Sequence, residues 1–134
     1  MANVTSVQTL LDGPRNWVVK VDGVLDTSDL ANTTLVDPAV LSANLPGQNP
    51  YTQLRIDCID YDVEDALELR LLWDASVPVK IWELTGRGTI EAAKYGGLVN
   101  NAGAGKTGKI LYATQGWATG LILSFTALVK GIKQ

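Results

Sequence analysis

The sequence has no histidine and only one cysteine, one methionine and one phenylalanine. Without histidine there is no serine–histidine triad and no imidazole base working near neutral pH, and transition-metal sites lose their commonest ligand. A single cysteine, Cys58, excludes an intrachain disulfide, so the fold has to stand on packing. A thiol nucleophile would need a basic partner and no histidine is there to serve Cys58, while Asp57 and Asp60 disfavour its thiolate. Its place in an apolar, alternating stretch predicts a small buried hydrophobe. Long apolar runs are missing as well. The most apolar, Leu121-Ile122-Leu123-Ser124-Phe125, is strand-sized, far below the roughly 20 residues of a membrane-spanning helix, and no membrane partner is expected. The opening residues MANVTSVQTLLDGPRN have no basic segment leading into an apolar one, so no secretion signal is expected. The sequons at Asn3 and Asn32 then carry no weight.

Acidic residues run out at Glu91. Residues 1–91 hold all 14 acids against six bases, whereas residues 92–134 hold five lysines and no acid. Such segregation either neutralises itself within the fold or presents charged surfaces to partners. The lysines are sparse and the net charge is −3, so no nucleic-acid partner is expected.

What the chain does contain is enough for one core. Its 134 residues suit a single domain that buries roughly two-thirds of its unfolded surface. A hydrophobic share of 46% against 19% charged residues places it among folded proteins. Helical periodicity is nearly absent, and short β-rich runs alternate with Gly, Pro and Asn. Asn16–Val21 reads as a strand ended by a turn at Asp22-Gly23. Residues 25–29 read as irregular, and Thr33–Val36 as a short strand. Asp37-Pro38 places a capping Asp before a Pro at a first helical position, predicting one helical turn over 37–42. Residues 44–50, NLPGQNP, read as a loop.

The strongest alternation follows. Leu54, Ile56 and Cys58 share one face, then Leu67, Leu69, Leu71 and Trp73. Residues 77–84 form another strand, with Pro78 marking its start or a sheet edge. Gly86-Arg87-Gly88 reads as a turn. Residues 109–114 and 121–129 read as the last strands, the latter with Leu121, Leu123, Phe125, Ala127 and Val129 on one face. The pattern predicts an all-β domain, a β-sandwich or barrel with at most a short helical turn. Residues 16–134 form that domain, and residues 1–15, which lack a strong pattern, form an irregular segment or an arm that orders on a neighbour.

Three stretches invite a chemical reading. Ala104-Gly105-Lys106-Thr107 ends like a phosphate-binding loop, but the first glycine of that motif falls on Asn100. The following residues are β-rich, and no acidic residue comes after them to hold magnesium. A glycine-rich connection with solvated Lys106 and Lys109 is expected, with no nucleotide and no cofactor. The run DCIDYDVED, residues 57–65, starts like a calcium loop at Asp60, Asp62 and Glu64. The required glycine and glutamate positions hold Asp65 and Leu71, so a solvated acidic face or a binding surface is expected and no metal site. Paired carboxylates would also suit a glycosidase, although spacing in sequence does not give separation in space. No catalytic constellation emerges. Of the tryptophans, Trp73 is in phase with a leucine face and belongs to the core. Trp82 and Trp117 are freer to meet a partner or stack on a sugar.

NWVVKVDGVLDTSDL (residues 16–30), LRLLWDASVPVKIWELTGRG (69–88) and GGLVNNAGAGKTGKILYATQGW (96–117) resemble small virion structural proteins of tailed bacteriophages. Together they cover somewhat under half of the chain. The closest class is the capsid decoration, or cement, proteins. The resemblance implies a β-sandwich or jelly-roll module and no catalytic residue. It implies a homo-oligomer, most simply a trimer, made in the host cytoplasm and bound to the major capsid protein on the outer surface of the capsid. Trp82, Lys106, Lys109 and Trp117 are the candidate contact residues. Another virion component, such as a head–tail connector or fibre-base protein, and a carbohydrate-binding module are the alternatives.

Overall fold

The computed structural model describes residues 3–41 and 52–133. Among them nine strands form two antiparallel sheets: β1 (Val4–Asp12), β2 (Asn16–Leu25), β3 (Thr33–Val36), β4 (Leu54–Val63), β5 (Glu68–Trp73), β6 (Val79–Leu84), β7 (Gly86–Ile90), β8 (Ile110–Gln115) and β9 (Leu123–Lys133). One sheet has the order β1-β2-β9-β4-β7, the other β3-β8-β5-β6. The pairings nest: β2 with β9, β3 with β8, β4 with β7 and β5 with β6, all antiparallel. A long hairpin rolled on itself in this way is a jelly roll, here with β1 added to one edge.

Alternation builds the core. Trp17, Val19, Val21 and Leu25 of β2, with Phe125, Ala127 and Val129 of β9, face Leu69, Leu71 and Trp73 of β5, and all are buried. The leucine face read from residues 67–73 is fully buried. Pro78 sits just before β6, which is a sheet edge as its proline suggested.

Two glycine turns predicted from the sequence are strands instead. Gly23 lies within β2 directly across from Phe125, whose ring comes within 2.8 Å of where a Cβ would stand. Gly88 lies within β7 across from Tyr61, whose hydroxyl would stand 2.7 Å from a Cβ. Gly131 pairs with Trp17, whose ring would stand 2.6 Å from a Cβ, although the Arg55 carbonyl of β4 on its other side comes closer still. In each case the missing side chain makes room for an aromatic ring from the next strand. Gly86 makes the actual corner, at a φ of 71°, where the chain leaves β6 and enters the opposite sheet as β7.

Cys58 is half-buried rather than in the core. The register shifts between Ile56 and Cys58, so Asp57 is an extra residue and the inward phase passes to Ile59, which is fully buried. The predicted helical turn at Asp37-Pro38 is a single hydrogen-bonded turn: Val40 N–H donates to Asp37 O and Ala39 N–H to Asp37 Oδ1. The short helical piece is a 3₁₀ turn at Ala92–Tyr95. Leu121 precedes β9 and is exposed. The N-terminal segment expected to be irregular contains β1, paired along β2 with all nine residues exposed. The loop predicted over 44–50 lies outside the described residues.

Candidate functional site

The glycine-rich connection, residues 96–109, closes one end of the sandwich. Its start is tied to β4, where Ile56 and Leu98 exchange backbone hydrogen bonds of 3.0 and 2.7 Å. Asn100 donates its side-chain amide to Gln53 Oε1 and accepts from the Ala102 N–H. Its far part is tied to the β5–β6 turn. Ser76 N–H donates to Ala104 O, Thr107 N–H to Asp74 O, and Asp74 N–H to Lys109 O. Thr107 Oγ1 donates to Asp74 Oδ2 at 2.7 Å. The connection therefore bridges both sheets.

Its glycines answer to this packing. Gly105 and Gly108 have φ of 78° and 85°, the left-handed region that L side chains avoid. A Cβ on Gly105 would stand 2.2 Å from Ser76 Oγ, and one on Gly108 2.1 Å from Thr52 O. Strand β8 follows, where a phosphate-binding loop would lead into a helix.

Lys106 is exposed at the tip of this connection, and Val77, 78% exposed, lies in the turn to which the tip is bonded. Lys109 is half-buried and 4.0 Å from Asp37. Trp82 is 43% exposed on the edge strand β6, level with Leu71 and, one strand further, Tyr112. Trp117 lies beyond the opposite end of β8 and is half-buried against the core. Its backbone N–H donates to Asp29 Oδ1 and its indole N–H to Leu121 O. The structure thus brings Lys106 and Lys109 to one end, leaves Trp82 along the side and places Trp117 at the other end. Val77 carried no signal in the sequence beyond being apolar beside Pro78.

The charge segregation is largely satisfied inside the chain. Four of the five C-terminal lysines reach an acid of the first 91 residues: Lys94 with Glu91, Lys109 with Asp37, Lys130 with Asp60, and Lys133 with Asp12. Lys133 is buried and donates also to Gly13 O at 2.6 Å, binding the last strand to the β1–β2 turn. Along the acidic run, Asp60 accepts from Thr89 Oγ1, Asp62 pairs with Arg87, and Glu64 accepts from Ser124. Among the described residues no group of three or more acidic or cysteine side chains is placed to hold a metal ion. Partial burial, then the charge of Asp60, pushes the Cys58 thiol above its ordinary value. No helix of the described residues is long and apolar enough to cross a membrane. No protein-family model matches this chain, and no curated protein matches its sequence.

Proposed function

We propose that this chain is a structural component of a tailed-phage virion, a decoration protein that binds the outer surface of the major capsid protein lattice. The observation that carries this reading is where the resembling stretches fall. Two of the three stretches, residues 69–88 and 96–117, come together at β5 and β6, the glycine-rich connection bonded to their turn, and β8 paired with β5, while residues 16–30 supply β2 of the other sheet. The likeness to phage virion proteins read in these stretches, with a jelly roll that exposes Lys106 on the connection, supports the reading. The jelly roll agrees with this role and equally with a lectin, so fold alone does not choose. A sugar platform built from both Trp82 and Trp117 has less support, since they stand apart.

The contact with the shell is partly electrostatic in this proposal, with exposed Lys106 as its cation and Val77 beside it. Three copies around a local three-fold axis multiply a small contact and match the symmetry beneath. The test is quantitative proteomics of purified particles, followed by stripping the protein, heating the shells and adding it back. Hundreds of copies per particle are expected, with shells that rupture at lower temperature when stripped and recover on re-addition. Rebinding weakens as salt rises, because exposed charges are screened over about 10 Å at 0.1 M. Absence from virions, or only a ring's worth of copies, refutes decoration; the second outcome favours a connector.

A further inference from the structure

The two sheets end in four edge strands: β1 and β7 in one, β3 and β6 in the other. An edge strand exposes a row of backbone N–H and C=O groups, and proteins blunt such edges with short strands, bulges, charges or proline. Three of these edges are blunted. Strand β3 has four residues, a bulge between Thr34 and Val36, and Asp37-Pro38 immediately after it. Strand β6 follows Pro78, carries Lys80 and Glu83, and is bulged opposite Leu71 and Leu72. Strand β7 has five residues, two of them glycine, and carries Arg87.

Strand β1 differs over most of its length, its bulge and its one charge lying in the last third. It runs nine residues with no proline, no charge before Asp12 and no irregularity before Thr9. Val4, Val7, Leu10 and Leu11 are 66%, 41%, 50% and 45% exposed along it. It is also held at both ends. Asn3 Oδ1 accepts from the Asp26 and Thr27 N–H groups at 2.8 and 2.9 Å, and Asn3 Nδ2 donates to Ser28 O. At the far end Lys133 Nζ donates to Asp12 Oδ1 and Gly13 O. Among the described residues it pairs with β2 alone. From Val4 to Thr9 the result is an unbulged, uncharged, pre-ordered template.

We propose that β1 pairs antiparallel with β1 of a second copy across a two-fold axis, joining two five-stranded sheets into one of ten strands. Alternate residues of β1 turn their N–H and C=O groups away from β2, and an identical strand supplies the matching set. The occupant follows from the chain's own edges: among the described edge strands β1 is the one with a run, Val4–Thr9, free of charge, proline and bulge, and so the one fit to pair with its own copy. An axis normal to the sheet centres the pair on Val7 or Gln8, and neither register sets two charges opposite each other. The exposed valines and leucines then line the seam. This contact is separate from the three-fold arrangement on a shell and stands or falls without it.

Sedimentation velocity of the purified chain over a wide concentration range tests the pairing. The wild type is expected to dimerise. Gln8→Lys and Gln8→Glu each set like charges across or diagonal to the axis and should weaken dimerisation about fivefold. Mixing the two variants should restore it. Because Gln8 is exposed, both variants should keep the wild-type circular dichroism. A wild type that stays monomeric at every concentration overturns the proposal, as would an oligomer whose dissociation is unchanged in both variants or a mixture no tighter than either alone.

Discussion

Gly23, Gly88 and Gly131 each stand opposite an aromatic side chain on the neighbouring strand, Phe125, Tyr61 and Trp17 in turn. A glycine beside Asp or Arg looks like a turn when only the local sequence is read, because the ring that needs the space lies dozens of residues away. Cys58 misleads for the complementary reason. The alternation Leu54, Ile56, Cys58 is real until Asp57 bulges out, and a bulge leaves no mark in hydrophobicity. Leu69 carried a clear signal, since its strand alternates without interruption and is fully buried on one face. The two positions should therefore respond differently to truncation. Leu69→Ala removes a fully buried side chain and should cost about 2–5 kcal/mol. Cys58→Ala, at a half-buried position, should cost about 1 kcal/mol or less. Urea denaturation of both variants measures the difference, and equal losses would place Cys58 in the core after all.

At the scale of elements, strands with one buried and one solvated face were legible, whereas β1 was not. All nine of its residues are exposed, so no apolar face was required and none was written. The glycine-rich connection was legible as a loop between β-structures, but its purpose was not. That purpose is packing: Asp74 and Ser76 hold it on one side and Ile56 on the other, with Gly105 and Gly108 at the tightest approaches. Two consequences separate this role from phosphate binding. Gly108→Ala should destabilise the fold, because its Cβ meets the Thr52 carbonyl and its φ is left-handed, each adding about 1 kcal/mol or more. Titration calorimetry with ATP and magnesium should show no heat of binding in the wild type. A micromolar affinity that disappears in Lys106→Ala would reverse the assignment.

At the scale of the whole molecule, the nested pairing explains why charge is segregated in sequence but mixed in space. Rolling the chain places β9 between β2 and β4, so the basic last strand meets acids of the first half, as in Lys130 with Asp60 and Lys133 with Asp12. The same topology makes the core indivisible. Strand β2 cannot complete its ladder until β9, more than a hundred residues later, has been placed against it, as the Trp17–Gly131 pairing shows. Neither sheet can bury its inner face without the other. Unfolding should then be all-or-none, and refolding slow for the size, on the order of milliseconds to seconds, because distant segments must meet before contacts reward the loss of chain entropy. The tryptophans supply the probes. Trp17 reports the five-stranded sheet and Trp73 the four-stranded one, and both are buried. With Trp82 and Trp117 replaced by Phe, the fluorescence of each remaining tryptophan can be followed by replacing the other in turn, alongside far-ultraviolet circular dichroism. Within each single-tryptophan variant the fluorescence and dichroism midpoints should coincide in urea. Separate transitions for Trp17 and Trp73, each diverging from the dichroism of its own variant, would mean that the sheets unfold independently and that one shared core does not hold them.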